Sequence, residues 1–546
     1  MIRSILFLFI VVVFSQCNTK TAVDTLLING TVYTVDSSFS KAEAVAVKEG
    51  KIVATGSSAE LQKTYAAKET IDLQGKFLYP GFIDAHAHFF GYGLDLRKAN
   101  LTGTESWEDA VHHLSDFAKD LHAKPGEWII GRGWDQNDWE VKEYPTKEKL
   151  DQLFPDNPVI LTRVDGHAAI VNQPALDKSG ITASTKLIGG DVILKDGKPT
   201  GVLIDNAVDL VSANIPLATD QQIKEGLLAA QKNCFAAGLT TIDDCGLSYE
   251  SVLQIEKANQ SGELKMRLYV MLSDAKNNYD AIFKRGMIKT DRLNVRSFKV
   301  YADGALGSRG ACLLQPYADK PGHLGFLLSN PEHFDSVAAV INNKGFQMCT
   351  HAIGDSGNRT ILHVYGKYLK EKNDLRWRIE HAQVVNERDF NLFGMYSIVP
   401  SVQPTHATSD MYWADKRLGT QRVKGAYAYN DLLKQNGWIP LGTDFPVEDI
   451  DPLKTFYAAV FRKDAKGWPG DGFQIENALT REATLKGMTI WAAKSNFEEK
   501  EKGSIETGKF ADFVILDTDI MTATFEQILK ASVLKTICNG ETVYSK

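Results

Sequence analysis

Pro80-Gly-Phe-Ile-Asp-Ala-His-Ala-His88 decides the fold. Apolar residues fill its first half and polar ones gather at its end. That is the pattern of a buried parallel strand delivering its C-terminal residues to a site. Side chains alternate along a strand, so His86 and His88 face the same side. Working outward, seven more segments share the form: Leu239-Thr-Thr-Ile-Asp243, Met266-Arg-Leu-Tyr-Val-Met271, Phe298-Lys-Val-Tyr-Ala-Asp303, Gln347-Met-Cys-Thr-His351, Trp377-Arg-Ile-Glu-His381, Tyr396-Ser-Ile-Val-Pro400 and Ile439-Pro-Leu-Gly-Thr-Asp444. Amphipathic helical stretches separate them. Eight strands in this alternation close a (β/α)8 TIM barrel, so the fold class is α/β.

The first gap is too long for one βα unit. It holds Trp128-Ile-Ile-Gly-Arg-Gly-Trp134, Pro158-Val-Ile-Leu-Thr-Arg-Val-Asp165 and a glycine-rich hairpin pattern from Gly189 to Leu203. This predicts an inserted lid subdomain at about 104–215, on a barrel loop where substrate contacts belong. Both ends of the chain carry short β-rich runs around Asn29-Gly30 and Asn539-Gly540, the strongest short hairpin signal. Each end is too small to bury a core alone, so 17–76 and 500–546 are read as two parts of one composite β-sandwich, with the barrel over 77–499.

The 546 residues are 44% hydrophobic with a formal net charge of −7, which excludes a disordered chain and gives no electrostatic pull toward nucleic acid. Arg3 and the uncharged apolar run Ile5 to Phe14 form a secretory signal pattern, too short to span a bilayer. Residues 1–16 are therefore read as a signal peptide. Ser15-Gln16-Cys17 resembles a bacterial lipoprotein cleavage site in which Cys17 is lipidated, with Gln16 departing from the usual small residue. Ordinary cleavage nearby is the alternative. The expected location is periplasmic or cell-surface, with a lipid anchor. Cys234, Cys245, Cys312, Cys349 and Cys538 are scattered without metal or disulfide spacing. A homo-oligomer is compatible with these features.

His351, His381 and Asp444 end predicted strands, as His86 and His88 do, and Lys299 lies within another. Imidazoles and a carboxylate gathered from separate strand ends suit Zn²⁺ or a similar divalent ion. By strand parity Glu380 points away from His381 and is read as structural. Cys349 shares the parity of His351, which leaves it either near the metal or buried.

Taken together, the His86-Ala-His88 strand, Asp303-Gly-Ala-Leu-Gly-Ser-Arg309, His351-Ala-Ile-Gly-Asp355, Arg378-Ile-Glu-His381 and Gly442-Thr-Asp-Phe-Pro446 closely resemble the amidohydrolase superfamily. The branch is the amidohydrolase-3 group, with YtcJ-like and N-substituted formamide deformylase-like members. The resemblance covers nearly everything after the signal segment. It implies that His86, His88, His351 and His381 are metal ligands and that Asp444 is both ligand and proton carrier, for one or two ions. Two-metal members bridge their ions with a carboxylated Lys or a Glu. Lys299 stands where that Lys would, Asp303 is its rival, and a Lys299 paired with a nearby carboxylate is the structural alternative.

The resemblance further implies hydrolysis of an amide-type C–N bond in a small molecule such as an N-acyl or N-formyl amine. Esters, lactones and cyclic ureas are the alternative substrates, and a lipid-anchored binding protein without turnover is the alternative class. His167, in Asp165-Gly-His167, is the candidate to support the oxyanion, against a plain loop histidine. Trp134, Asp135, Trp139, Asp165 and Arg309 are candidate substrate contacts, although packing within the lid explains the aromatics equally well. His112 and His113 read as a solvated helix face.

Overall fold

The computed structural model describes residues 20–546; residues 1–16 and Cys17 lie outside them. Seven parallel strands form the central sheet: β1 (Phe82–Ala87), β2 (Leu239–Leu247), β3 (Arg267–Ser273), β4 (Leu293–Tyr301), β5 (Gln347–Ala352), β6 (Arg378–His381) and β7 (Val399–Ser401). They pair in chain order, and β1, β5, β6 and β7 are buried at every position, as a sheet covered on both faces requires.

The eighth stave differs from a regular strand. Leu441 and Val402 form a single parallel bridge, Gly442 N donates to Val402 O at 3.1 Å, and Ala85 N donates to Leu441 O at 3.1 Å. Asp444 N reaches His86 O at 2.7 Å. Pro440 has no N–H to give, which interrupts the ladder but leaves the barrel nearly closed. The β7 strand lies three residues beyond the start expected from Tyr396, because helix Phe390–Met395 and its cap occupy the approach.

The stretch that opened the reading is two strands, not one. Phe77–Pro80 pairs antiparallel with Phe513–Leu516 near the other end of the chain, in the register Phe513↔Pro80. Gly81 separates it from β1, where a Cβ would lie 2.4 Å from Thr240 Oγ1. The barrel therefore starts at Phe82, and the strand at 77 belongs to a six-stranded sheet that also holds Thr31–Tyr33, Val533–Cys538 and Glu541–Ser545. A four-stranded sheet containing Thr21–Ile28 and Ala44–Lys48 lies against it. Leu27, Val45 and Val47 from one sheet pack with Leu78, Phe513 and Ile537 from the other, while Leu26 and Ile28 turn to Leu61 on the opposite face.

Between β1 and β2 the chain builds a separate six-stranded sheet, from Ala99–Asn100 to Lys198–Asp205. It starts slightly before the expected 104 and has its own buried core around Leu101, Trp134, Leu161 and Ile170. Among the described residues no helix is long and apolar enough to cross a membrane, and the five cysteines are free.

Candidate metal centre

The ends of β1, β5 and β6 and the eighth stave bring His86, His88, His351, His381 and Asp444 to one cavity of 690 Å3, apart from His86, which sits just beneath its floor with Nε2 toward Asp444 at 3.5 Å. That volume suits a small-molecule site. Nitrogen and carboxylate atoms of His86, His88 and Asp444 lie within 4.8 Å of one another, and so do those of His381, His406 and Asp444. Asp444 is thus common to two donor groups. The His351 ring packs against His381 at 4.6 Å between centroids, and the His381 ring lies 4.7 Å from His86.

The outer ring nitrogens are committed elsewhere. His86 Nδ1 meets Glu380 Oε2 at 2.6 Å, His88 Nδ1 the carbonyl of Cys245 at 3.2 Å, and His381 Nδ1 the Gln403 Oε1 at 2.8 Å. These oxygens only accept, so each Nδ1 carries the proton and each Nε2 keeps its lone pair for the centre. His88 Nε2 then faces Asp444 Oδ1 at 3.2 Å, close enough for the pair to share a proton until a cation takes its place. Among the described residues, His351 Nε2, His406 Nε2 and Asp444 Oδ1 are buried without any hydrogen-bond partner. Lone pairs converging on one another and left unsatisfied fit a cation.

Electrostatics agree with that fit. Burial, reinforced by Lys299, brings His86 down to about 4. Burial and neighbouring cationic and imidazole groups also hold His351 and His381 well below the ordinary imidazole range, in the neutral ligand form. Burial opposes the Asp444 charge, but the His88 contact and surrounding histidines outweigh it and keep the carboxylate ionised.

Lys299 is buried at the same point, its Nζ 3.2 Å from His86 Nε2. Among the described residues it has no carboxylate ion pair, so the paired-lysine alternative is not what the structure has. Asp303 Oδ1 lies 3.9 Å from His351 Nε2, but its two oxygens already accept from the backbone N–H groups of Ile353, Cys312 and Gly354 at 2.8–2.9 Å, which commits it to the loops rather than to a bridge. Cys349 lies in the barrel floor with Cys245, Tyr269 and Met271.

Glu380 corrects the parity reading. It bonds His86 and forms an ion pair with Arg378 at 2.7 Å, inside the barrel. His381 also faces inward because its φ is +71°, and the simple alternation of side chains ends there. Burial pushes the Glu380 carboxyl up, but Arg378 and His86 bring it down to about 2. Asp84 went unassigned in the sequence. It accepts from His86 N at 3.2 Å, Thr443 N at 2.9 Å and Thr443 Oγ1 at 2.6 Å, locking β1 to the eighth stave. His406 was also missed; it lies on helix Pro404–Asp410 after β7, outside any recognisable spacing.

The insertion forms the facing wall. His167 lines the cavity, its ring 5.0 Å from that of His351, and its Nδ1 meets Asp205 Oδ1 at 2.6 Å. Burial works against the imidazolium, but Asp205 raises His167 to about 9. Asp135 and Asp165 also line the cavity, both paired with the buried guanidinium of Arg163. Trp134 and Trp139 do not line it. They are buried in the insertion's own core, with Trp134 Nε1 donating to Leu161 O at 2.7 Å. Arg309 is likewise turned away, paired with Asp319 at 3.0 Å. His112 and His113 are exposed beside Asp116 and Asp109 on their own helix.

A sequence profile of the amidohydrolase family matches residues 69–544. The chain belongs to this family. Among its relatives is YtcJ of Bacillus subtilis (strain 168), 33% identical over 527 residues, with 95% of this chain and 98% of that one aligned. The N-substituted formamide deformylase of Arthrobacter pascens is 25% identical over 545 residues, covering 96% and 98% of the two chains. An uncharacterized metal-dependent hydrolase from Pyrococcus horikoshii OT3 superposes with a TM-score of 0.74 at 27% identity, over 91% of this chain and 98% of that chain. For this amidohydrolase, family and donor set together support a hydrolase using a divalent metal.

Proposed function

We propose that the protein hydrolyses a C–N amide-type bond in a small molecule, with an N-acyl or N-formyl amine as substrate. The observation that carries this is the convergence of the His86, His88, His381 and His406 ring nitrogens on the Asp444 carboxylate, with Nδ1 of His86, His88 and His381 pinned outward. The deformylase relative, which acts on N-substituted formamides by its name, favours the amide among carbonyl substrates.

His86, His88, His351, His381 and Asp444 would hold Zn²⁺, as one ion or two, with Lys299 carboxylated as the bridge. Lys299 is buried with its Nζ 3.2 Å from His86 Nε2, and addition of CO₂ to its neutral amine would turn it into an anionic oxygen donor suited to a cation. A divalent ion there supplies Lewis acidity and makes a nucleophile from water at neutral pH. The chain's own residues do the rest. Asp444, ionised and in contact with His88, accepts the water's proton and delivers it to the leaving nitrogen. His167, from the facing wall, hydrogen-bonds the carbonyl oxygen as negative charge develops. The 690 Å3 cavity holds the acyl and amine portions between Asp444 and the insertion.

The test is metal analysis with turnover of N-formyl and N-acyl amines, esters, lactones and cyclic ureas by wild type and Asp444→Asn. Amide turnover lost in the variant supports the proposal. Preference for esters, lactones or cyclic ureas moves the bond class, and tight metal binding without turnover favours a binding protein. We further propose export, with Cys17 lipidated as the mature N-terminus of a membrane-anchored protein, on the pattern of Arg3, Ile5 to Phe14 and Cys17. Mass spectrometry of the mature N-terminus tests it; an unmodified chain beginning elsewhere overturns it.

A further inference from the structure

Asp205 sits where the insertion meets the barrel. It ends the strand Lys198–Asp205, whose residue Ile204 pairs with Ala168, so Asp205 stands opposite His167 at the end of that ladder. Asp205 N donates to His167 O at 2.8 Å, and His167 Nδ1 returns to Asp205 Oδ1 at 2.6 Å. The two residues are therefore fixed to each other through backbone and side chain. Among the described residues the second oxygen, Oδ2, is buried with no hydrogen-bond partner. The backbone at Asp205 has φ +48° and ψ −124°, a combination that L residues with a Cβ rarely adopt. Strain of this kind persists only where the surroundings impose it, and it clusters at functional sites.

The surroundings are the glycines of the loop after β4. A Cβ at Gly304 or at Gly310 would come within 2.5 Å of Asp205 Oδ2, and one at Gly307 within 3.2 Å of the Arg163 guanidinium. In Asp303-Gly-Ala-Leu-Gly-Ser-Arg-Gly310, every third residue is thus a floor on which a buried charged side chain of the insertion rests. A carboxylate placed there with one oxygen on an imidazole and the other unsatisfied does more than dock the insertion. His167 lines the cavity beside His351, and with Nδ1 held, its Nε2 is the ring nitrogen left for substrate.

We propose that Asp205 is a positioning residue: by accepting a hydrogen bond from His167 Nδ1–H on a glycine floor built by the barrel, it sets the ring so that Nε2 meets the substrate carbonyl opposite Asp444. The role rests on the hydrolytic reading of the cavity. It also makes insertion docking and catalytic geometry one event, since the same carboxylate serves both.

The test is a double-mutant cycle. Asp205→Asn and His167→Gln each lower kcat by about 100-fold with KM within about threefold, and the double variant is no worse than the poorer single one. Losses that multiply, or an Asp205→Asn variant within about threefold of wild-type kcat, overturn the proposal. If Asp205→Asn does not fold, Gly304→Ala keeps both side chains but presses on Oδ2, and must give the same kcat-selective loss; an unchanged kcat there overturns it. A further readout needs no turnover. Histidine ¹⁵N NMR of the wild-type holoenzyme, with His167→Gln for assignment, must place a proton on His167 Nδ1. A His167 with bare Nδ1 overturns the proposal, whereas a protonated Nδ1 in a protein that hydrolyses no amide, ester, lactone or cyclic urea would sink the hydrolytic reading alone.

Discussion

The two walls of the cavity are built on opposite principles. On the barrel wall, His351 Nε2, His406 Nε2 and Asp444 Oδ1 are buried and unsatisfied, while the histidines are held neutral. On the insertion wall the charged groups are matched: Arg163 with Asp135 and Asp165, and His167 with Asp205. One wall is incomplete without a ligand, whereas the other already pairs Arg163 and His167 with carboxylates before anything binds. Rigid strand ends can hold donors apart against their own repulsion. A surface sheet with its own small core holds its polar groups by pairing them.

Breaking this contrast starts at Asp444. Asp444→Asn is expected to lower kcat by about 10³-fold or more and to reduce bound metal measured by mass spectrometry. Folding should survive, because the residue is unsatisfied on the barrel side. Arg163→Met should behave the other way. It leaves Asp135 and Asp165 without their cation, at about 3–5 kcal/mol of stability, visible as a lower denaturation midpoint with metal content retained. Metal loss from Arg163→Met equal to that from Asp444→Asn would erase the distinction between the walls.

How much of this was legible depended on backbone regularity. The histidines of β1 and β5 could be placed because those strands are extended, so alternation and strand-end position carry over to space. Glu380 was misread because positive φ at His381 and Ala382 breaks the alternation that the parity argument assumes. Asp303 looked like a bridge on its strand, but its use by three backbone N–H groups depends on how the loops after β4 and β5 cross. His406 reaches Asp444 Oδ2 at 3.5 Å from a short helix whose direction no local pattern encodes. Trp134 and Arg309 failed as cavity residues for a related reason, since a lone aromatic or cation does not reveal whether its own subdomain will absorb it.

Smaller effects sharpen the comparison. Glu380→Gln keeps the shape but weakens the acceptor behind His86, and a loss of about 10–100-fold in metal affinity is expected by competition with a chelator. Above about pH 6.5, where the barrel-wall histidines held low no longer titrate, the pH dependence of stability should carry the insertion wall's His167. The folded protein holds His167 at about 9, above its unfolded value, so its contribution is full below about 6.5 and fades as pH rises through about 9. Denaturation midpoints measured across that window should decline in wild type, with the His167-linked part of the decline absent in His167→Gln.

The split at Gly81 has a consequence in time rather than space. The strand bearing His86 and His88 continues directly from one whose partner is Phe513–Leu516, and Asp84 clamps Thr443 across 359 positions of sequence. A growing chain displays its first two histidines early but has nothing to lock them against until nearly all of it has emerged. Contacts this distant in sequence form late. A metal ion encountering the nascent chain would find loose histidines, and the finished centre only after the last strands have joined the first.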